Sequence, residues 1–144
     1  MVSFTPRDTK RLLGVNPSLV SVVMRAAEIG PRTFFVVEGV RTKERQQELY
    51  DQGRTTPGRI VTWTLQSKHI IQADGFGHAV DLYPILNPGM TIDQIPMQWW
   101  GEIAQGMLTA AADLGIPIRW GHDWDMDGIV GEKGETDKPH WELA

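Results

Sequence analysis

Two stretches decide this fold: Gly77-His78-Ala79-Val80-Asp81-Leu82, with Ser67-Lys68-His69 ahead of it, and Asp137-Lys138-Pro139-His140-Trp141-Glu142 at the end of the chain. Ala79–Leu82 and His140–Leu143 read as short strands. Period-2 geometry puts Gly77, Ala79 and Asp81 on one face of the first and His78 and Val80 on the other. The two stretches hold two histidines and a carboxylate able to share one metal ion, His69, Asp81 and His140, with Asp137 as a spare carboxylate beside them. A catalytic zinc takes about three such ligands and keeps one position open for water. It also needs a base near that water. Spacing alone does not establish a site, since four histidines in 144 residues is ordinary. The surrounding chain has to supply the context.

Upstream, Asn16-Pro17 starts a helix, with Asn as cap and Pro at the first helical position. Leu19, Val20, Val22, Val23, Ala26 and Ala27 continue it at helical spacing until Gly30-Pro31 ends it. Phe34–Val37 is aromatic and β-branched, a buried strand. Thr42 caps a helix from Lys43 to about Gln52, stopped by Gly53. Arg41 therefore sits where a strand hands over to a helix, a common place for functional residues. On its own it reads better as a surface salt-bridge partner.

Val61-Thr62-Trp63-Thr64-Leu65 alternates like a strand, and residues 66–76 read as loop. Met97–Leu114 is the longest helix, with Trp100, Ile103, Ala104, Met107, Leu108 and Ala111 on one stripe and Gly115 as its stop. Ile116–Trp120 reads as a strand and residues 121–138 as polar loop. Strands and helices mix without regular alternation, which predicts an α+β fold.

Composition bounds the function. The 144 residues suit one domain, 1–144, with no second module. Hydrophobic residues are 41% and charged residues 22%, a soluble profile. A net charge of −4 argues against a nucleic-acid partner. With no cysteine, any zinc must be held by His and carboxylates. Met1–Asp8 lacks a basic region followed by an apolar run. No apolar stretch reaches the roughly 20 residues of a membrane span. The expectation is a monomer that does not insert into membranes and stays in the cytoplasm until something releases it.

In order along the chain, several stretches resemble the phage-endolysin branch of the D-alanyl-D-alanine carboxypeptidase and L-alanyl-D-glutamate endopeptidase family. They are Gly14-Val15-Asn16-Pro17-Ser18-Leu19-Val20; Val37-Glu38-Gly39-Val40-Arg41-Thr42 with Glu44, Arg45 and Gln46; Ser67-Lys68-His69; Gly77–Leu82; Trp120-Gly121-His122-Asp123-Trp124; and Asp137–Glu142. The resemblance implies a zinc D-Ala-D-Ala peptidase (hedgehog-like) fold, a small antiparallel sheet flanked by helices. It implies that His69, Asp81 and His140 bind one zinc ion, that Asp137 is the general base, and that Arg41 steadies the substrate carbonyl and the developing oxyanion. It further implies a peptidoglycan hydrolase that cleaves the L-alanyl-D-glutamate amide and lyses a bacterial host from within.

The chain departs from the family's His-x-x-Gly-x-Ala-x-Asp pattern. Seven residues, Ile70 to Phe76, separate His69 from Gly77, and Asp74 stands at the usual ligand position. His69, His78 and Asp74 therefore compete for the first ligand. The Ser-x-His context and the strand alternation favour His69. His122, where the family more often has glycine, reads as an exposed loop residue or as part of the cleft lining.

Asp123-Trp124-Asp125-Met126-Asp127-Gly128 resembles the start of a calcium loop, with acids at positions 1, 3 and 5 and Gly at 6. Gly134 occupies the twelfth position and Glu135 comes one place late, so a regular EF-hand is not expected. A looser calcium site on Asp123, Asp125 and Asp127 stands against the plainer reading of an acidic solvated loop. Two other functions stay open at this stage: a D-alanyl-D-alanine carboxypeptidase with the same zinc chemistry, and a non-catalytic cell-wall binding module on the same fold.

Overall fold

The longest apolar stripe in the chain folds as expected and organises the core. In a computed structural model that describes residues 5–62, 64–132 and 137–144, helix α4 spans Met97–Leu114 and buries Trp100, Ile103, Ala104, Met107, Ala110 and Ala111. Gly115 ends it in the left-handed conformation (φ 68°), which glycine adopts without a Cβ penalty. Leu108 falls off the stripe and is exposed. Helix α2, Pro17–Ile29, is capped by the Asn16 side chain and buries Leu19, Val22, Val23, Ala26 and Ala27. These two helices pack on each other and share one core with the sheet.

The sheet has four strands: β1 (Phe34–Glu38), β2 (Ala79–Pro84), β3 (Ile118–Trp120) and β4 (His140–Leu143). Their spatial order is β1-β2-β4-β3, and each neighbouring pair is antiparallel. This is the α+β architecture expected. Val36, Val80, Leu82, Ile118 and Trp141 join the core. Full burial of such side chains contributes about 1.5–3 kcal/mol each. Trp120 and Trp141, directly paired across β3 and β4, stack with ring centroids 5.3 Å apart and an interplanar angle of 3°.

Helix α1, Pro6–Arg11, was not legible in the sequence. It opens with a capping box in which Thr5 and Asp8 satisfy each other's backbone N–H groups. Its side chains close the outer edge of β1: Val36 N–H donates to Asp8 Oδ1 (2.9 Å), and Arg11 Nη1 donates to the Val36 carbonyl (2.8 Å). An open strand edge is thereby covered. Helix α3, Lys43–Asp51, follows β1 with Thr42 as its cap.

The strand expected at 61–65 does not form: Val61, Thr62, Thr64 and Leu65 lie in irregular backbone, and Trp63 lies outside the described residues. Alternation alone does not make a strand, and Ile60, Val61, Thr62 and Thr64 instead line one side of a cleft. Met1–Phe4, Gly134 and Glu135, on which the leader and calcium-loop readings drew, also lie outside the described residues. Among the described residues no helix is long and apolar enough to cross a membrane.

Candidate active site

The sheet registers build the site. In β2–β4 pairing Asp81 lies directly opposite His140, and in β1–β2 pairing Asp81 lies opposite Glu38. The second match requires the irregularity between Val36 and Glu38, which re-aims the end of β1. Glu38, Asp81 and His140 thus form a row across three strands. Strand alternation sends Val80 and Leu82 to the core and Asp81 to the other face.

His69 reaches this row from a loop. Its backbone N–H donates to Ser67 Oγ (3.1 Å), its carbonyl accepts from Arg41 N–H (2.9 Å), and the neighbouring Lys68 carbonyl accepts from His78 N–H (2.7 Å). The ring is buried, with Nδ1 2.7 Å from the Gly39 carbonyl. A carbonyl can only accept, so Nδ1 carries a proton, and Nε2 faces inward toward Asp81. Nε2 lies 3.2 Å from Asp81 Oδ1. His140 is arranged the opposite way: Nε2 donates to Glu142 Oε1 (2.8 Å), leaving Nδ1 3.5 Å from the same Asp81 oxygen. One donor atom each from His69, Asp81 and His140 lies within 4.8 Å of the others.

The three candidates for the first ligand are therefore separated by geometry. The additional 70–76 segment folds back on itself, with Gln72 N–H bonded to the Phe76 carbonyl (2.8 Å). Asp74 pins that turn from outside, accepting from Asn16 Nδ2 (2.9 Å), Phe76 N–H (3.0 Å) and His78 Nε2 (2.7 Å). Asp74 and His78 pair with each other away from the Asp81 row, and His69 joins it.

Electrostatics match the grouping. Burial alone would raise the Asp81 carboxyl, but hydrogen bonds from His140 and His69 outweigh it and hold the group below the ordinary carboxylate range. Burial alone would depress His140, yet Asp81 and Glu142 carry it up to about 9. Two imidazoles and a carboxylate, with the outer ring nitrogens already anchored, fit a zinc ion in both donor chemistry and orientation.

Asp137 stands at the mouth, half exposed, with Oδ2 3.9 Å from His140 Nδ1. Desolvation by the cleft walls pushes its carboxyl up, helped by the charge on Asp81 and opposed by His140, His69 and Arg41. Its position depends on Gly121: a Cβ there would come within 2.3 Å of the Asp137 carbonyl and 3.0 Å of His140 Cβ. Arg41 is clamped on two sides, Nε by Glu38 and Nη1 by Gln46 Oε1 (2.7 Å). Its Nη2 lies 3.9 Å from Asp81 Oδ2. These groups line a cleft of about 650 Å³, walled by Ile60, Val61 and Thr62 on one side and Trp124 on another.

Three residues of the site went unassigned in the sequence. Glu142 was quoted in the motif without a role, although strand alternation from His140 puts it on the same face. Glu38 and Gln46 were likewise quoted in the matching stretches without a role. His122 is a correction: it is buried, at 7% exposure, edge-on to Trp120 at 5.1 Å, because the loop folds over it. Asp123, Asp125 and Asp127 do come together, on an exposed loop. Their oxygens accept from Gly128, Asp127 and Ile129 N–H groups (3.0, 3.4 and 2.8 Å), as turn-forming carboxylates do. Nothing beyond that proximity supports a calcium site.

The chain is similar to known proteins along its whole length. The chain is 29% identical over 144 residues to the L-alanyl-D-glutamate peptidase of Escherichia phage T5, covering 98% of this chain and 97% of that protein. The crystal structure of the Serratia marcescens L-Ala D-Glu endopeptidase ChiX matches with a TM-score of 0.73 at 29% identity, over 100% of this chain and 90% of that one. A family model for phage L-alanyl-D-glutamate peptidases matches residues 1–144. The chain belongs to the phage L-alanyl-D-glutamate peptidase family.

Proposed function

We propose that this protein is a zinc-dependent peptidoglycan hydrolase that cleaves the amide between L-alanine and D-glutamate in the stem peptide, and that it acts in lysis of a phage host. The observation that carries the reading is the convergence of His69 Nε2, Asp81 Oδ1 and His140 Nδ1, with both outer ring nitrogens anchored and a carboxylate, Asp137, beside them.

His69, Asp81 and His140 would hold the ion. Zinc supplies Lewis acidity there, lowering the pKa of a bound water to about 7 and polarising a carbonyl oxygen. The protein's own groups do the rest. Asp137 Oδ2 takes the proton from the attacking water and passes it to the departing amine nitrogen. A base whose affinity for protons is raised by its surroundings suits that transfer. Arg41 keeps its charge, and with Nε and Nη1 fixed its Nη2 is the donor left for the substrate carbonyl. Charge that develops on that oxygen meets a donor already in place, which is worth more than one that must reorganise. The walls of the cleft hold the peptide across the donor cluster and keep bulk water out.

The test is digestion of a defined muropeptide with and without chelator, read by mass spectrometry. Chelator-sensitive loss of the whole peptide after L-alanine is expected. Loss of one terminal D-alanine would replace this reading with a carboxypeptidase, and absence of any chelator-sensitive product would leave a binding module as the better account.

A further inference from the structure

Helix α3 is unusual in what it buries. Among its described residues the one buried side chain is Gln46, at 0% exposure, and it buries no apolar residue. A buried carboxamide has to satisfy one acceptor and two donor positions. Gln46 does so in two directions. Its Oε1 accepts from Arg41 Nη1 at 2.7 Å. Its Nε2 donates to the Thr64 carbonyl at 2.5 Å and reaches Thr62 Oγ1 at 3.3 Å. Arg41 lines the cleft, and so do Ile60, Val61, Thr62 and Thr64 of one segment. That segment has no helix or strand among its described residues, so side-chain ties decide where it lies. The other ties, Arg54 to the Thr62 carbonyl and Gln52 to the Arg59 carbonyl, are exposed.

We propose that Gln46 is a positioning residue that joins the orientation of Arg41 to the placement of the cleft wall at Thr62 and Thr64. The inference rests on the functional reading given above and assigns Gln46 no contact with substrate. Its two ends do separable work. The oxygen holds the second edge of the guanidinium, so that Nη2 stays turned toward Asp81 and the cleft. The nitrogen holds the wall against which the peptide lies.

The separation can be read from two variants. Gln46→Glu keeps an acceptor for Arg41 and loses the donor to Thr64; Gln46→Leu loses both. On a defined muropeptide, Gln46→Glu should keep kcat within about threefold and raise KM by about 5- to 10-fold, the scale of one lost hydrogen bond. Gln46→Leu should raise KM similarly and also lower kcat by about 10- to 100-fold, as misplacement of a catalytic group does. Zinc affinity, measured by competition with a chromophoric chelator, should stay within about twofold in both, because no ligand or its anchor is touched. Adding Gln46→Leu to Arg41→Met should cost little further kcat, since the pair acts as a unit.

Wild-type kcat in Gln46→Leu would overturn the proposal. So would equal kcat losses in both variants, or a fall in zinc affinity that tracks them, either of which would make Gln46 a general support of the fold. If Gln46→Leu does not fold, a deep kcat loss in Gln46→Glu with normal zinc affinity overturns it equally. Absence of chelator-sensitive cleavage by the wild type would strike the functional reading first, and this inference with it.

Discussion

Among the described residues three candidate metal ligands gather in each of two places, and the difference between them is one of anchoring. His69, Asp81 and His140 sit on the sheet face and its adjoining loop, with both rings buried. Asp123, Asp125 and Asp127 sit on an exposed loop. In the first set each imidazole has its outer nitrogen tied down, to the Gly39 carbonyl and to Glu142, so the inner nitrogens have nowhere else to point. In the second, one oxygen of each carboxylate is engaged by a backbone N–H group of the same loop. Proximity of donors is common; orientation fixed from behind is what distinguishes a site.

The largest effects should come from breaking the first set. His69→Ala removes a ligand and should abolish stoichiometric zinc binding and activity together, while His78→Ala should retain both, since His78 pairs with Asp74 outside the row. Asp137→Asn should separate the two properties: zinc content is kept, and kcat falls by about 10²- to 10⁴-fold, the usual scale for a lost acid–base group. Metal analysis beside muropeptide digestion reads all three. A His78→Ala protein without zinc would reverse the ligand assignment.

Next in size is the anchor behind His140. Glu142 is buried, at 7% exposure, and accepts from His140 Nε2. Glu142→Ala frees the ring to turn and should weaken zinc binding by about 10- to 100-fold, the range found for outer partners of ligating histidines. Glu142→Gln still offers a carbonyl oxygen and should recover most of that loss in chelator competition. Equal losses in both variants would show that the negative charge, and not the fixed ring, is what Glu142 supplies.

Much of this was legible in the sequence because it follows local rules. Asn16-Pro17, Thr42 and Gly115 bound their helices through backbone chemistry that depends on a few adjacent residues. The alternation Ala79-Val80-Asp81 put Asp81 and Val80 on opposite faces of the strand, and Asp137 stood out as a spare carboxylate beside the ligand set. What stayed hidden depends on partners far along the chain. Helix α1 has six residues, too few for a period, and its purpose is visible only against the edge of β1. Gln46 and Glu38 matter through Arg41 and a wall segment 16 to 18 residues away from Gln46. The 61–65 alternation misled because a strand needs an edge, which no local pattern supplies. The 70–76 insertion raised the question of the first ligand, and only the fold shows Asp74 closing that turn from outside.

Asp8 extends the comparison to a carboxylate that is buried yet belongs with the structural kind. Its oxygens accept from the N–H groups of Val36 and Thr5 and from Thr5 Oγ1, and no imidazole is among these partners. Asp8→Asn turns the oxygen that faces Thr5 into a donor, so it should cost about 1–3 kcal/mol of stability without changing zinc affinity or kcat. The pH dependence gives the sharper test. Burial alone would raise the Asp8 carboxyl, but the hydrogen bonds from Val36 and Thr5 win and its pKa in the folded protein lies below its ordinary value of 3.8. A group depressed in the folded state contributes its full stabilisation above the unfolded pKa and loses it as pH falls through the folded one. Denaturant melts of wild type and Asp8→Asn should therefore differ by a constant amount from neutral pH down to about 4, and the gap should close below that as Asp8 takes up its proton. A gap that stayed constant into strong acid would mean that the shape of the side chain at this edge, and not its charge, holds α1 against β1.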